Sequence, residues 1–207
     1  MLPVTATSRP PRVVALAELA GRVRVAPARA GTRRVLAVDG RAGAGKSSLA
    51  ARIGALLPGP VLAMDELYPG WDGLQAAVPA LVQEVLAPLA EGREAAYRRW
   101  DWAADAWGTA RRVPDSPFLV VEGVGSGCRA AAAYLSLLVW VEAPAAVRRE
   151  RALARDGDRF RPHWDGWARQ EEALLAHERT AERADLVVDA APQVPYDPAT
   201  EVVISRG

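Results

Sequence analysis

The chain has 207 residues, half of them apolar, which is the size of one ordinary α/β domain with or without a small lid and enough to bury a full core. Its 26 basic and 25 acidic side chains leave a formal charge of +1, so no global field recruits nucleic acid or an anionic membrane. The single cysteine, Cys128, excludes an internal disulfide framework, fits a reducing compartment and reads as a structural residue.

Met1 to Arg12 contains three prolines and no long apolar core, so it reads as a flexible tail rather than a secretion signal, leaving 13–207 as one domain. Apolar residues at helical spacing from Val14 to Val23, with Leu16, Leu19 and Ala20 opposite Glu18 and Arg22, predict a short amphipathic helix. The apolar run Val35 to Asp39 then breaks into glycines, and Gly40 to Ser47 fits G-x-x-x-x-G-K-[ST] at every fixed position. A triphosphate has to be wrapped by backbone N–H groups, so such a loop must turn without Cβ atoms in the way, as Gly40, Gly43 and Gly45 allow.

Arg41, Ala42, Ala44 and Ser48 complete the stretch expected to close on ATP. The helix opening near Lys46 aims its unpaired N–H groups at the β-phosphate, the Lys46 ammonium reaches the β- and γ-oxygens, and Ser47 offers its hydroxyl to Mg²⁺. Lys46 is the one lysine in a chain with 25 arginines; a compact point charge suits a phosphate cradle better than a guanidinium fork.

Leu49, Ile53, Leu56 and Leu57 give the next helix its buried stripe until Pro58-Gly59-Pro60 stops it. Val61 to Met64 reads as a buried parallel strand ending on Asp65, and the acid- and aromatic-rich loop Glu66 to Gly73 follows at the strand end, where open α/β sheets hold their ligands. A helix is predicted from Leu74 to Ala90. Ala95 to Trp107 fits neither period, and its aromatics are either a satellite core or a wall for a planar ligand. Phe118 to Gly123 and Leu137 to Glu142 are further buried strands, the first carrying Glu122 at its end.

From Pro144 the helix is loaded with Arg148, Arg149, Arg151 and Arg155, and about 148–163 is expected to be an Arg-rich lid. Trp164 to Arg183 is a predicted helix, Ala184 to Asp189 a strand, and Val202 to Ile204 an edge strand. The alternation implies a three-layer α/β P-loop NTPase fold, a parallel sheet flanked by helices. Ala130 to Val141, the longest uncharged apolar stretch, has twelve residues, too few to cross a bilayer as a helix, so the protein is expected to be cytoplasmic.

A phosphate loop is shared by several machines. A guanine-reading N-K-x-D is impossible when Lys46 is the only lysine, and no L-S-G-G-Q-like element or large helicase core is present, which leaves a small kinase. Four stretches point the same way: D-G-x-x-G-A-G-K-S from Asp39, M-D-E-L-Y at Met64 to Tyr68, V-V-E-G at Val120 to Gly123, and R-A-L-A-R-D at Arg151 to Asp156. On these, the chain from Val35 to Asp189 resembles the uridine kinase-like branch of P-loop nucleoside and nucleotide kinases.

The resemblance implies that Asp65 is the base and a metal partner, that Tyr68 lines the acceptor pocket, and that Glu122 helps hold Mg²⁺. Trp100-Asp101-Trp102 looks like the family's aromatic-Asp-aromatic element. Three residues later uridine kinases place a histidine, and here that position is Asp105, an acceptor-only group when ionised, so uridine is expected to be a poor substrate. His163 and His177 are read as surface or structural residues.

The expected activity is in-line transfer of the ATP γ-phosphoryl group to a hydroxyl of a nucleoside or nucleoside-like acceptor, with Mg²⁺ and with Arg151 and Arg155 neutralising the migrating charge. Tyr68, Trp71, Tyr97, Trp100, Trp102 and Asp105 form the expected acceptor site. Alternatives on the same core are a nucleoside monophosphate kinase, for which Arg93, Arg98 and Arg99 are the candidate basic residues, or an antibiotic phosphotransferase. An alternative of another class is a non-catalytic ATP-binding regulator. The expected partners are ATP and a small hydroxyl-bearing substrate, with no nucleic acid or membrane, in a monomer or homodimer.

Overall fold

In a computed structural model, residues 10–207 are described; the first nine residues of the predicted tail lie outside them. The apolar run at the centre of the sequence forms strand β2 (Arg34–Asp39), hydrogen-bonded on one side to β6 (Phe118–Glu122) and on the other to β7 (Leu137–Glu142), both parallel to it. Strand β3 (Val61–Ala63) extends the parallel set beyond β6, and β8 (Leu186–Asp189) beyond β7. Two more strands, β9 (Glu201–Arg206) and β1 (Arg12–Ala15), close that side antiparallel, giving the order β1-β9-β8-β7-β2-β6-β3.

Side-chain alternation along β2 divides the core into two layers. Leu36 and Val38 pack with helices α1 (Leu16–Val25) and α2 (Lys46–Gly54) through Leu19, Val23, Leu49 and Ile53. Val35 and Ala37 face the opposite layer with Leu81, Val85, Leu86, Leu89 and Trp167. Helices thus cover both faces of a mostly parallel sheet, the expected three-layer α/β arrangement.

Several local expectations are corrected. The predicted helix from Val14 starts later, because Arg12 to Ala15 pairs with Glu201 to Ile204 and only then does α1 begin. Arg12, placed in the predicted tail, therefore belongs to β1, and β9 is an inner strand rather than an edge. The predicted helix Leu74–Ala90 is α3 (Leu74–Ala80), a π-helical stretch over Leu81–Leu86 and α4 (Ala87–Ala90). Pro79 and Pro88 lack N–H donors, and between them the ladder widens, with the Ala87 N–H bonded to the Val82 carbonyl five residues back.

The ambiguous aromatic stretch is a two-stranded hairpin, β4 (Ala96–Asp101) and β5 (Ala106–Arg112), separate from the main sheet and bulged between Arg98 and Trp100. The arginine-rich helix α5 (Ala145–Phe160) is kinked at Gly157, whose φ of 54° and ψ of −135° are not helical. The last predicted helix is two, α6 (Trp164–Glu178) and α7 (Thr180–Arg183), parted by Arg179 at a φ of 50°. Among the described residues no helix is long and apolar enough to cross a membrane.

Candidate active site

Strand β2 delivers the phosphate loop to the end of the sheet where β3 and β6 also stop. The loop turns at Gly40, Gly43 and Gly45, all at positive φ, and Gly45 caps α2. Gly43 is fixed by space as well as dihedral: a Cβ there would lie 2.0 Å from the Arg148 carbonyl oxygen of α5. Ala42, Gly43, Lys46 and Ser47 border a cavity of about 630 Å³ that is also lined by Asp65, Tyr68, Trp71, Trp102, Glu122, Arg155, Arg159, Phe160 and Trp167. One cavity therefore gathers residues from the phosphate loop, two strand ends, the hairpin and α5–α6.

Lys46 is more enclosed than a loop lysine usually is, 8 % exposed, and donates to the Arg41 carbonyl at 2.9 Å. Burial lowers its pKa from the ordinary lysine value, opposed by the charges of Glu171, Glu122 and Asp39 in that order. Ser47 donates to Glu122 Oε1 at 2.9 Å, so the loop hydroxyl and the β6 acid share one spot. The Glu122 pKa is raised, mainly by burial, against the pull of Lys46.

Asp65 stands in a single 3₁₀ turn, Met64–Glu66, directly after β3. Its pKa is raised by burial and by the neighbouring Glu66 charge, with Arg155 and Arg99 pulling the other way. Arg155 reaches the cavity while its guanidinium pairs with Asp156 at 2.9 and 2.7 Å. The chemistry of Ser47, Glu122 and Asp65 suits Mg²⁺, a hard cation that takes oxygen donors. Among the described residues no group of three or more His, Cys, Asp and Glu side chains converges, so the remaining oxygens around such an ion would come from nucleotide phosphates and water.

Of the expected acceptor residues, the structure brings Tyr68, Trp71 and Trp102 to the cavity. Tyr68 is buried and donates to the Val124 carbonyl at 2.9 Å; Trp102 Nε1 donates to the Asp65 carbonyl at 2.9 Å, tying the hairpin to the strand-end acid. Trp71 stacks on His163, centroids 4.4 Å apart and 6° from parallel, and on Phe160 at 5.2 Å. His163 thus has a packing partner, as its structural reading implies.

Tyr97, Trp100 and Asp105 do not border this cavity. Tyr97 is buried in the core with its hydroxyl on Glu66, which also takes Arg111 at 2.6 Å; Trp100 packs edge-on against Trp107 at 5.1 Å; Asp105 sits in the hairpin turn at a φ of 49°. Nor does Arg151, which donates to the Ala190 carbonyl at 3.0 Å. An i, i+4 spacing decides this, since Arg151 and Arg155 lie about 40° apart around α5 and a full turn apart along it.

Three buried acids that the sequence reading passed over hold the site's loops by their backbones. Asp39, wholly buried, accepts N–H bonds from Gly40 at 2.7 Å, Gly125 at 3.1 Å and Gly127 at 2.9 Å, and burial raises its pKa to about 6. Glu171 accepts from Ala42 at 2.6 Å and Glu178 from Arg129 at 2.6 Å. The available signal was an acid on an apolar helix stripe: Glu171 and Glu178 are seven residues apart on the face that buries Trp167 and Leu175.

No family model matches the chain, and no curated protein matches it either. Solved structures do resemble it. The fold is similar to that of a protein from Bacillus stearothermophilus described as a possible uridine kinase, with a TM-score of 0.61, 21% identity, and coverage of 83% of this chain and 96% of that one. A Silicibacter sp. TM1040 protein provisionally described as a fructose transport system kinase matches at a TM-score of 0.49 and 24% identity, over 83% of this chain and 95% of that one. TT1252 from Thermus thermophilus matches at a TM-score of 0.41 and 20% identity, over 78% and 90%.

Proposed function

We propose that the protein is an ATP-dependent kinase that transfers the γ-phosphoryl group to a hydroxyl of a small, ring-bearing acceptor, a nucleoside or a molecule like one. The observation that carries this reading is the single cavity lined both by the phosphate loop and by an aromatic recess, with Asp65, Glu122 and Arg155 opening onto the same space. The N–H groups from Gly43 to Ser48 and the α2 N-terminus bind the phosphates, and Lys46 spans the β- and γ-oxygens. Ser47, Glu122 and Asp65 would hold Mg²⁺, which would supply neutralisation of the phosphate charge.

Asp65 orients the acceptor hydroxyl and takes its proton as the new O–P bond forms and the bond to ADP breaks. Its raised pKa makes it a better proton acceptor than an exposed carboxylate. Arg155 faces the charge that develops on the moving phosphoryl group. Tyr68, Trp71, Trp102 and Trp167 exclude water and hold the acceptor ring. This chemistry is consistent with the fold, and the three-layer arrangement places the strand ends where ligands bind in open sheets.

One observation favours a second reading, an acceptor that already carries a phosphate. Arg99, Arg111 and Arg159 line an adjoining cavity with Trp102, and Arg159 and Trp102 border both cavities. Of the other arginines considered, Arg93 pairs with Glu91 and Arg98 lies over Trp107, and neither borders these two cavities. ADP formation measured with nucleosides, nucleoside monophosphates, sugars and aminoglycoside-like alcohols tests the proposal. Acceptor-stimulated ADP release is the expected result. ATP binding with no stimulation by any acceptor would overturn it in favour of a non-catalytic regulator.

A further inference from the structure

The phosphate loop is held by a buried carboxylate that the proposed reaction does not use. Glu171 is 2 % exposed, and its Oε1 accepts both the Ala42 N–H at 2.6 Å and the Trp167 indole N–H at 2.9 Å. Its neighbours on α6 bind the two halves of the site: Glu172 pairs with Arg41 at 2.7 Å, Gln170 donates to the Trp71 carbonyl at 2.8 Å, and the Trp167 ring packs against Tyr68 at 5.0 Å and Trp71 at 6.4 Å. Among the carboxylates that favour the charged form of Lys46, Glu171 comes first.

A phosphate loop is built to receive an anion, and here one anion is already seated against it. Ala42 and Trp167, the two groups Glu171 binds, border the cavity on which Asp65 and Tyr68 also open, so the carboxylate lies one hydrogen bond beneath the acceptor-facing wall of the loop. That is the face the terminal phosphate of a triphosphate must present for transfer. Two buried negative charges set against the same loop repel each other strongly, because little water screens them.

We propose that Glu171 is a resident counter-anion of the phosphate loop, a positioning residue whose charge opposes the terminal phosphate and which is displaced with α6 when a triphosphate binds. Because Gln170 and Trp167 hold Trp71, the same displacement reaches the acceptor wall, so the two halves of the site are coupled through one helix. The inference rests on the reading of this cavity as a nucleotide site.

The test is calorimetric binding of MgATP and of MgADP to the full chain, alongside Glu171→Gln, Glu171→Ala and Asp165→Asn. Glu171→Gln keeps the shape and an oxygen for both N–H donors and removes only the charge. It should tighten MgATP binding about tenfold and MgADP binding by less than about threefold, since ADP lacks the phosphate the charge opposes. Glu171→Ala should raise the ATP preference too; if it fails to fold, Glu171→Gln alone decides. Asp165→Asn removes an exposed charge of the same sign from the same helix and should leave the ATP-to-ADP ratio as it is. An unchanged ratio in Glu171→Gln overturns the counter-anion, whereas a wild-type protein that binds neither nucleotide overturns the nucleotide site and this inference with it.

Discussion

Gly43→Ala adds one methyl group at the point where the phosphate loop passes under α5. The new Cβ would lie 2.0 Å from the Arg148 carbonyl oxygen, 2.7 Å from its carbon and 3.0 Å from Cα, all backbone atoms with no rotamer to change. The loop and the first turns of α5 must therefore separate, and the φ of +76° adds a cost of about 1–2 kcal/mol for any residue with a Cβ. Together these amount to roughly 3–5 kcal/mol, the range of strained and overpacked substitutions. For a chain of this size that is a drop in Tm of roughly 6–20 °C. Gly45→Ala is the internal control: its φ is +103°, but the nearest atom to the new Cβ is Ala190 Cβ at 3.8 Å, so dihedral strain alone should act, a loss of about 1–2 kcal/mol. Thermal unfolding by circular dichroism compares the two, and calorimetry with MgATP reports whether Gly43→Ala has opened the cradle. A Gly43→Ala protein that melts with or above Gly45→Ala would refute the close approach of loop and helix.

The parts of the fold legible in the sequence were those in which one short stretch specifies its own structure. The β2–loop–α2 unit is such a case: a fully buried run, three glycines at positive φ and a helix start lie within sixteen residues, and the structure reproduces them in order. Strand β1 was not legible because four residues carry too little alternation to distinguish a strand from the first turn of a helix, and its partner β9 lies near the other end of the chain. The site divides in the same way. Acids at strand ends, Asp65 and Glu122, and the aromatics beside them reach the cavity, since the strand directs them there. Tyr97, Trp100 and Asp105 depended on the hairpin register, and a bulge between Arg98 and Trp100 resets which side chains face inward. Glu171 and Glu178 are marked locally only as acids on an apolar helix stripe, and the distant backbone N–H groups that they and Asp39 bind are named by no local pattern.

Asp65→Asn should leave MgATP affinity nearly unchanged and slow turnover roughly 10²-fold or more, the range for a lost acid–base contact; a normal rate would remove Asp65 from the proton-transfer role. Trp102→Ala should raise the acceptor KM, because its ring borders the cavity, while Trp100→Ala, which packs on Trp107, should lower Tm and leave that KM alone. If Trp100→Ala changes KM more than Trp102→Ala, the recess has been drawn on the wrong side of the hairpin. The last prediction concerns pH and the buried Asp39. Its pKa of about 6 in the folded chain stands above the ordinary 3.8, with burial outweighing the N–H bonds and the Lys46 charge. The folded state therefore holds a proton that the unfolded state releases, so this group's contribution to stability is complete below about pH 4 and is lost as pH rises through about 6. Two pKa units correspond to about 3 kcal/mol. Asp39→Asn cannot titrate, so subtracting its unfolding free energy from that of the wild type at each pH cancels the other carboxylates. That difference should fall by up to about 3 kcal/mol between pH 4 and pH 7. A difference that stays flat across this interval would mean that the three N–H bonds from Gly40, Gly125 and Gly127 hold Asp39 ionised throughout, and that the junction between the phosphate loop and the β6 loop is a fixed charge.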